Sequence, residues 1–262
     1  MRKPKADYAI QAVANALRLF EEFRDESEIG VAELSRRLAL HKNNVFRLLA
    51  TLEDRGYIEQ DAETERYRLG LGALRLGQSY ARNRPLLARA HGYLEELSRM
   101  TGETAHLGLL HDFEVIHADG VAPDRMLLTG LRTGQNLPVH CTALGKVLIG
   151  CCPEGQRQAY DRTVVARGSL IAFTPTTITD PDKFLEHLRT VAGQGFAIDR
   201  EECESGLCCA AAPVHDEHGR VVAALSVSAP SARLTEEALL REVCPRVISA
   251  AESLSRELGH QL

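Results

Sequence analysis

The amino-acid sequence predicts an α+β protein of two parts, a winged helix-turn-helix followed by a sheet flanked by helices. Three observations predict it. Between Ile29 and Gly70, two short helical patterns separated by a polar turn run straight into a hairpin pattern. Beyond Asn83-Arg84-Pro85, which reads as a break, strand patterns appear with helical patterns before and after them. The charge divides at the same place: residues 1–83 hold 14 Lys+Arg and 13 Asp+Glu, a net of +1, whereas residues 84–262 hold 17 and 23, a net of −6.

Each element follows from its residue pattern. Ile10, Val13, Leu17, Phe20 and Phe23 recur at helical spacing from Ala9 onward, which makes this the first helix of a three-helix core. Val31, Leu34 and Leu38 mark the second helix, with Glu33, Arg36 and Arg37 facing outward. After the break at Ala39-Leu40-His41-Lys42, either Asn43 or Asn44 can cap the third helix through its side-chain oxygen. That helix buries Val45, Leu48, Leu49 and Leu52, and Gly56 is placed to end it in a left-handed conformation. Tyr57–Gln60, a turn at Asp61–Thr64, and Glu65–Leu69 form the wing. Leu71–Arg82 is a helical pattern whose glycines make it weak in isolation, so it is expected to pack on something, such as the same helix of a second subunit.

The second part opens with a helix over Leu86–Met100, followed by strands at Thr104–Leu110 and Glu114–Asp119. Helices are expected at Ala143–Ile149 and Pro181–Val191, and strands at Phe196–Asp199, Leu207–Val214 and Arg220–Ala229. A helix from Thr235 to about Leu258 closes the chain, with Leu239, Leu240, Val243, Val247, Ala251 and Leu254 apolar.

Composition narrows the function classes. The chain has 262 residues, 44% hydrophobic and 26% charged, within the range of soluble globular proteins and long enough for two domains. No apolar run reaches the roughly 18 residues of a membrane span. The start, Met1-Arg2-Lys3-Pro4-Lys5, is basic without an apolar signal core, so a cytoplasmic location is expected. Seven cysteines are then expected as free thiols. The net charge of −5 argues against a non-specific DNA coat, but a local patch of Arg2, Lys3, Lys5, Arg36, Arg37, Lys42, Arg47, Arg66 and Arg68 can still serve phosphates.

The third helix carries the residues that favour DNA reading over a merely structural helix pair. Lys42, Asn43, Asn44, Phe46, Arg47 and Thr51 project from its N-terminal part and solvent side. Arg and Asn suit bidentate base contacts and Lys suits phosphate, while the helix N-terminus attracts a phosphate. Arg47 and Asn44 are the candidate base contacts, and Lys42, Arg36, Arg66 and Arg68 the candidate phosphate contacts.

Four segments, in this order and spacing, resemble the IclR family of bacterial transcriptional regulators over nearly the whole chain. They are the helix-turn-helix and wing ending Tyr67-Arg68-Leu69-Gly70, the run Leu137–Lys146, the pair Asp199-Arg200-Glu201-Glu202 and Gly206–Val214, and Ala223–Ser228. The resemblance implies a winged helix-turn-helix for DNA over residues 1–70, a linker helix over 71–85, and a GAF-like α/β effector-binding domain over 86–262. It also implies a homodimer, or a tetramer built as a dimer of dimers, that binds a palindromic operator as repressor or activator. The implied effector is a small metabolite, an organic acid or aromatic catabolite, with no cofactor. Residues matching the family's effector pocket are Met126, Ala143, Leu144, Asp199, Leu207, Cys209, Ser226 and Ser228. Their spacing is physically sensible: Ser226 and Ser228 share one face of a strand, as do Leu207 and Cys209. The helix opened by Ala143-Leu144-Gly145 has free N–H groups for a carboxylate. Two departures stand out. His41-Lys42-Asn43-Asn44 occupies the place of a frequent Pro-Lys-Ser-Thr, and Ser228-Ala229-Pro230 that of Ser-Gly-Pro.

Other chemistries are weaker. His140-Cys141, Cys151-Cys152, Cys203 and Cys208-Cys209 invite a metal or thiol-sensor reading, yet adjacent cysteines on a strand point to opposite faces and do not share one ion. No metal site is expected. Asp199, Glu201 and Glu202 come with no phosphate loop, Ser-His-Asp order or His pair, so no enzyme is expected. The alternative is a thiol- or metal-based sensor or enzyme using the second part. His106 and His117 read as structural or peripheral to the pocket.

Overall fold

The computed structural model describes residues 9–24, 26–124 and 130–261. The chain divides into two compact units, one up to Arg84 and one from Pro85 onward. In the first, helices α1 (Gln11–Glu21), α2 (Val31–Leu38) and α3 (Lys42–Asp54) precede strands β1 (Ile58–Gln60) and β2 (Tyr67–Leu69) and helix α4 (Leu71–Arg82). Leu19, Phe23, Ile29, Leu34, Leu38, Val45, Leu49, Ile58 and Tyr67 form its core. The wing is anchored from below: Ile29 and Tyr67 exchange two backbone hydrogen bonds of 2.9 Å each, which ties the wing to the segment before α2. Gly56 ends α3 at φ +70°, as its place in the sequence requires.

The predicted cap differs. His41, not an asparagine, sits at the N-cap of α3, and its Nδ1 accepts the Asn43 amide at 3.3 Å. An imidazole acceptor relieves one unsatisfied amide as an Asn oxygen would. Asn43 and Asn44 therefore lie inside the first turn, with their side chains released from capping.

In the second unit, α5 (Pro85–Thr101) leads into a six-stranded antiparallel sheet. Its strands are β3 (Thr104–His111), β4 (Glu114–Val121), β5 (Asn136–Pro138), β6 (Ala197–Arg200), β7 (Leu207–His215) and β8 (Val221–Pro230), in the spatial order β5-β4-β3-β8-β7-β6. Between β5 and β6 the chain forms α6 (Ala143–Gly150), α7 (Glu154–Tyr160) and α8 (Pro181–Gln194). It closes with one continuous helical run, α9 (Glu236–Ala238) passing through a π-helical turn at Leu239–Val243 into α10 (Cys244–Glu257). Both faces of the sheet are covered. Residues such as Ala105, Leu107, Ala210, Ala212, Leu225 and Val227 pack with α5 and α10. Their neighbours of opposite phase, Ala197, Ala211, Ala224 and Val115, pack with α6 and α8. β5 and α7 are additional to the sequence expectation; β5 is a three-residue edge strand with no alternation to read.

Candidate functional site

Two places carry the residues singled out by sequence. On the first unit, Lys42, Asn43, Asn44, Phe46, Arg47 and Thr51 are all exposed along α3, Phe46 at 56%. Lys42 and Arg47 make no side-chain hydrogen bond or ion pair with any described residue, which leaves both cations available. Asn44, Arg47 and Thr51 share a groove with Val13, Leu17 and Phe20 of α1. The wing arginines are more committed. Arg68 pairs with Glu59 at 2.6 Å and lies 3.5 Å from Glu28 and 3.7 Å from Asp61. Arg66 donates to the Glu28 carbonyl at 2.7 Å. Arg36 remains largely free, with one weak pair to Glu33 at 3.9 Å. Arg2, Lys3 and Lys5 lie outside the described residues.

On the second unit, the α6-facing side of the sheet brings distant residues into aligned rows. Asp199 pairs with Cys209, Cys209 with Ser228, and Ser228 with Thr104. In the next row, Ala211 pairs with Ser226, Ser226 with His106, and His106 with Gly120. His117 pairs with Gly108 in the row after that. Directly opposed residues of an antiparallel pair project to the same face, so these polar groups form one cluster. Two glycines make the room. A Cβ at Gly108 would meet the Leu144 side chain at 3.0 Å, and one at Gly120 would lie 2.9 Å from the His106 ring.

A small cavity of about 20 Å³ opens over this cluster, room for roughly one water. Ala143, Leu144, Asp199, Leu207, Cys209, Ser226 and Ser228 all line it. Met126 lies outside the described residues. The sequence reading missed His117, Arg132, Leu137, Thr142 and Cys203, which also line it, and it set His106 and His117 aside as structural or peripheral. His117 faces the cavity, and the His106 ring meets it edge-on with centroids 5.1 Å apart. Burial and the Arg132 charge lower the imidazolium affinity of His117 to a pKa of about 4, and burial, with His117 beside it, lowers that of His106 to about 3. Both rings are therefore neutral.

Asp199 is held in place. Its Oδ1 accepts the Glu202 amide at 2.7 Å, while burial pushes its pKa up to about 7. The turn that follows is clamped from three sides. Lys146 of α6, fully buried, donates to the Ile198 carbonyl at 2.5 Å and pairs with Glu202 at 2.6 Å. The Thr176 hydroxyl donates to the Glu201 carbonyl at 2.7 Å and that of Thr177 to the Glu202 carbonyl at 2.6 Å. Thr142 caps α6, its Oγ1 accepting the Gly145 amide at 3.2 Å. The Ala143 and Leu144 amides at the cavity edge belong to the first turn and have no intrahelical acceptor.

All seven cysteines are free thiols. Cys208 turns into the α5/α10 core, whereas the Cys209 thiol lies 3.1 Å from the Ser228 hydroxyl on the cavity side. The opposed directions expected of this pair are present. Among the described residues no group of three His, Cys, Asp or Glu is arranged to hold a metal ion, and no helix is long and apolar enough to cross a membrane.

Comparison with known proteins decides the family. The model for the bacterial transcriptional regulator IclR C-terminal region matches residues 78–256, and that for the IclR helix-turn-helix domain matches residues 12–62. The chain belongs to the IclR family. It is 34% identical over 252 residues to the HTH-type transcriptional regulator XynR of Escherichia coli K12, covering 96% of this chain and 98% of that protein. An IclR transcriptional regulator from Alicyclobacillus acidocaldarius shares its fold with a TM-score of 0.84 and 26% identity, covering 96% of this chain and 98% of that one. An IclR homologue from Microbacterium hydrocarbonoxydans, solved with 4-hydroxybenzoate, shares the fold at 23% identity with a TM-score of 0.80, over 94% and 98% of the two chains. The protein is an IclR-family transcriptional regulator with an N-terminal helix-turn-helix and a C-terminal IclR domain.

Proposed function

We propose that this regulator binds a palindromic operator as a homodimer, or as a dimer of dimers, and that an organic acid or aromatic catabolite controls its grip on DNA. Residues 1–70 act as the DNA-binding domain, 71–85 as the linker and 86–262 as the effector domain. Arg47 and Asn44 contact bases; Lys42, Asn43 and Arg36 contact phosphates, with Phe46 and Thr51 packing against the groove. Arg66 and Arg68 contribute less than the sequence suggests, because each must give up a carboxylate or carbonyl partner to reach a phosphate.

The observation that carries the effector reading is convergence. Seven residues drawn from three separate segments, Ala143 and Leu144, Asp199 with Leu207 and Cys209, and Ser226 with Ser228, surround one cavity. The first-turn amides of α6 and the Arg132 guanidinium supply attraction for a carboxylate. That the fold accommodates 4-hydroxybenzoate in the Microbacterium homologue agrees with an acid as ligand. The cavity holds only about a water's volume, so a larger ligand selects a more open form of the effector domain. Its differential affinity for the two forms then changes the spacing of paired helix-turn-helix units over the two half-sites.

The test combines two titrations. Gel-shift binding to DNA from the region upstream of the chain's own gene should show a specific, salt-dependent complex. A thermal-shift screen against small organic acids should find one that also releases or tightens that complex. Binding of neither DNA nor any acid would refute the proposal.

A further inference from the structure

We propose that Cys203 and Cys141 form a two-thiol oxidation site, at which a hydroperoxide converts the pair into a disulfide within the C-terminal domain. The site does not depend on what the effector is.

Placement carries the pairing. Cys141 directly precedes Thr142, the cap of α6, and Cys203 lies on the connection from β6 to β7. The fold brings these two distant thiols into hydrogen-bond contact with each other. The remaining cysteines are placed otherwise. Cys209 donates to the Ser228 hydroxyl, Cys151 and Cys152 to backbone carbonyls, and Cys208 and Cys244 pack in the α5/α10 core.

Access and charge divide the roles. Cys203 is partly exposed and lines the cavity beside Arg132, whereas Cys141 is buried and absent from the lining. The hydrogen bond from Cys141, helped by the Arg132 guanidinium, holds Cys203 below the ordinary thiol range against burial and the Asp199 carboxyl. The same bond holds Cys141 well above that range, so Cys141 keeps its proton. A partly exposed thiolate beside a cation is the kind of cysteine that oxidants reach first. The cavity, about 20 Å³, admits a molecule of roughly water's size, and hydrogen peroxide is the hydroperoxide nearest to that.

The chemistry balances without a further reagent. The Cys203 thiolate attacks one peroxide oxygen; an S–O bond forms, the O–O bond breaks, and the departing hydroxide takes the proton that the thiol gave up. The Cys141 sulfur then attacks the sulfenic acid on Cys203. An S–S bond forms, the S–O bond breaks, and the hydroxyl leaves with the Cys141 proton as water. The two thiols lose two electrons, and one peroxide becomes two waters.

The test treats the reduced full-length protein with hydrogen peroxide, counts thiols after denaturation and maps linked peptides by mass spectrometry. The seven thiols should fall to five, with Cys141 joined to Cys203 and both recovered by dithiothreitol. Cys203 should be oxidised at least about tenfold faster than any cysteine outside the pair. Cys203→Ala should leave Cys141 reduced under the same treatment. Cys141→Ser should leave a sulfenic acid on Cys203 that dimedone traps, and Arg132→Gln should slow the oxidation severalfold. Retention of all seven thiols, a link between other cysteines, or oxidation of every thiol at one rate would overturn the proposal. The peptide map of the unmodified protein decides the matter even if a variant does not fold. Because neither DNA nor an acid enters the measurement, its failure leaves the effector reading standing.

Discussion

Asp199 offers the sharpest test of the cavity's electrostatics. Its carboxyl is 1% exposed, and burial raises its pKa from 3.8 to about 7. In the unfolded chain the same group ionises near 3.8. Between those two values the folded state binds a proton that the unfolded state has lost, so stability falls as pH rises through the window from about 4 to 7. Each unit corresponds to about 1.4 kcal/mol, and the whole shift to about 4 kcal/mol. Asp199→Asn removes the titration but keeps an oxygen for the Glu202 amide. The variant should match the wild type near pH 4 and become progressively more stable relative to it up to pH 7, with a plateau above. Urea unfolding of both proteins at half-unit pH steps, followed by far-UV circular dichroism, reads the difference directly and cancels the titration of all other groups. A difference that stays flat from pH 4.5 to 7.5, or that moves in favour of the wild type, would refute a protonated Asp199.

Three further outcomes are expected. Lys146→Met strands the Glu202 carboxylate in a buried site and should cost about 3–5 kcal/mol in unfolding free energy, with much of it restored by adding Glu202→Gln; a loss in the double variant equal to the sum of the two single losses would show that the pair is not coupled. Gly145→Ala places a Cβ 2.4 Å from both the Cα and the carbonyl oxygen of Val139, so the start of α6 must shift, and a lowered midpoint together with weaker effector binding is expected in thermal-shift assays. Arg47→Ala should weaken specific operator binding by roughly 1–3 kcal/mol and relax base preference, whereas Arg68→Ala should change affinity by less than about 1 kcal/mol, as read by gel-shift titration against operator variants.

How much of this was legible in the sequence depended on the range of the interactions involved. Helices α1 to α5, the wing and the sheet's five longer strands follow from local periodicity and sit within a few residues of where the pattern puts them. The cap of α3 was misassigned because histidine is an uncommon cap, and nothing nearby distinguishes His41 from the two asparagines that follow. The cavity was legible only where a family motif supplied it. His106 reaches Ser226 through a pairing of β3 with β8, about 120 positions apart, which no local pattern records. A lone histidine in an apolar strand defaults to a packed one, so its place beside Ser226 and His117 emerged only from that register. Arg132 and Leu137 fall in a stretch without helix or strand periodicity, and the residues that line the cavity with them, Asp199 and Cys203, come from a distant part of the sequence.

The surroundings of Arg132 make a last prediction about how the cavity admits a ligand. The turn that carries Asp199 cannot yield easily, because Lys146, Thr176 and Thr177 all fasten it. Arg132 is fastened differently, by an ion pair to Glu204 on the β6–β7 connection, whose side chain is 62% exposed. Such a pair contributes only about 0–1 kcal/mol. A ligand carboxylate arriving in the cavity competes with Glu204 for the same guanidinium. Glu204→Gln removes that competitor without touching the cavity lining, so the bound acid should gain affinity by up to about fivefold, with folding stability changed by no more than about 1 kcal/mol. Titration of the variant with the acid that binds the wild type best checks it. Unchanged or weakened binding would mean that Glu204 does not compete for Arg132 and that the carboxylate is held elsewhere, with the first amides of α6 the remaining attraction on the cavity wall.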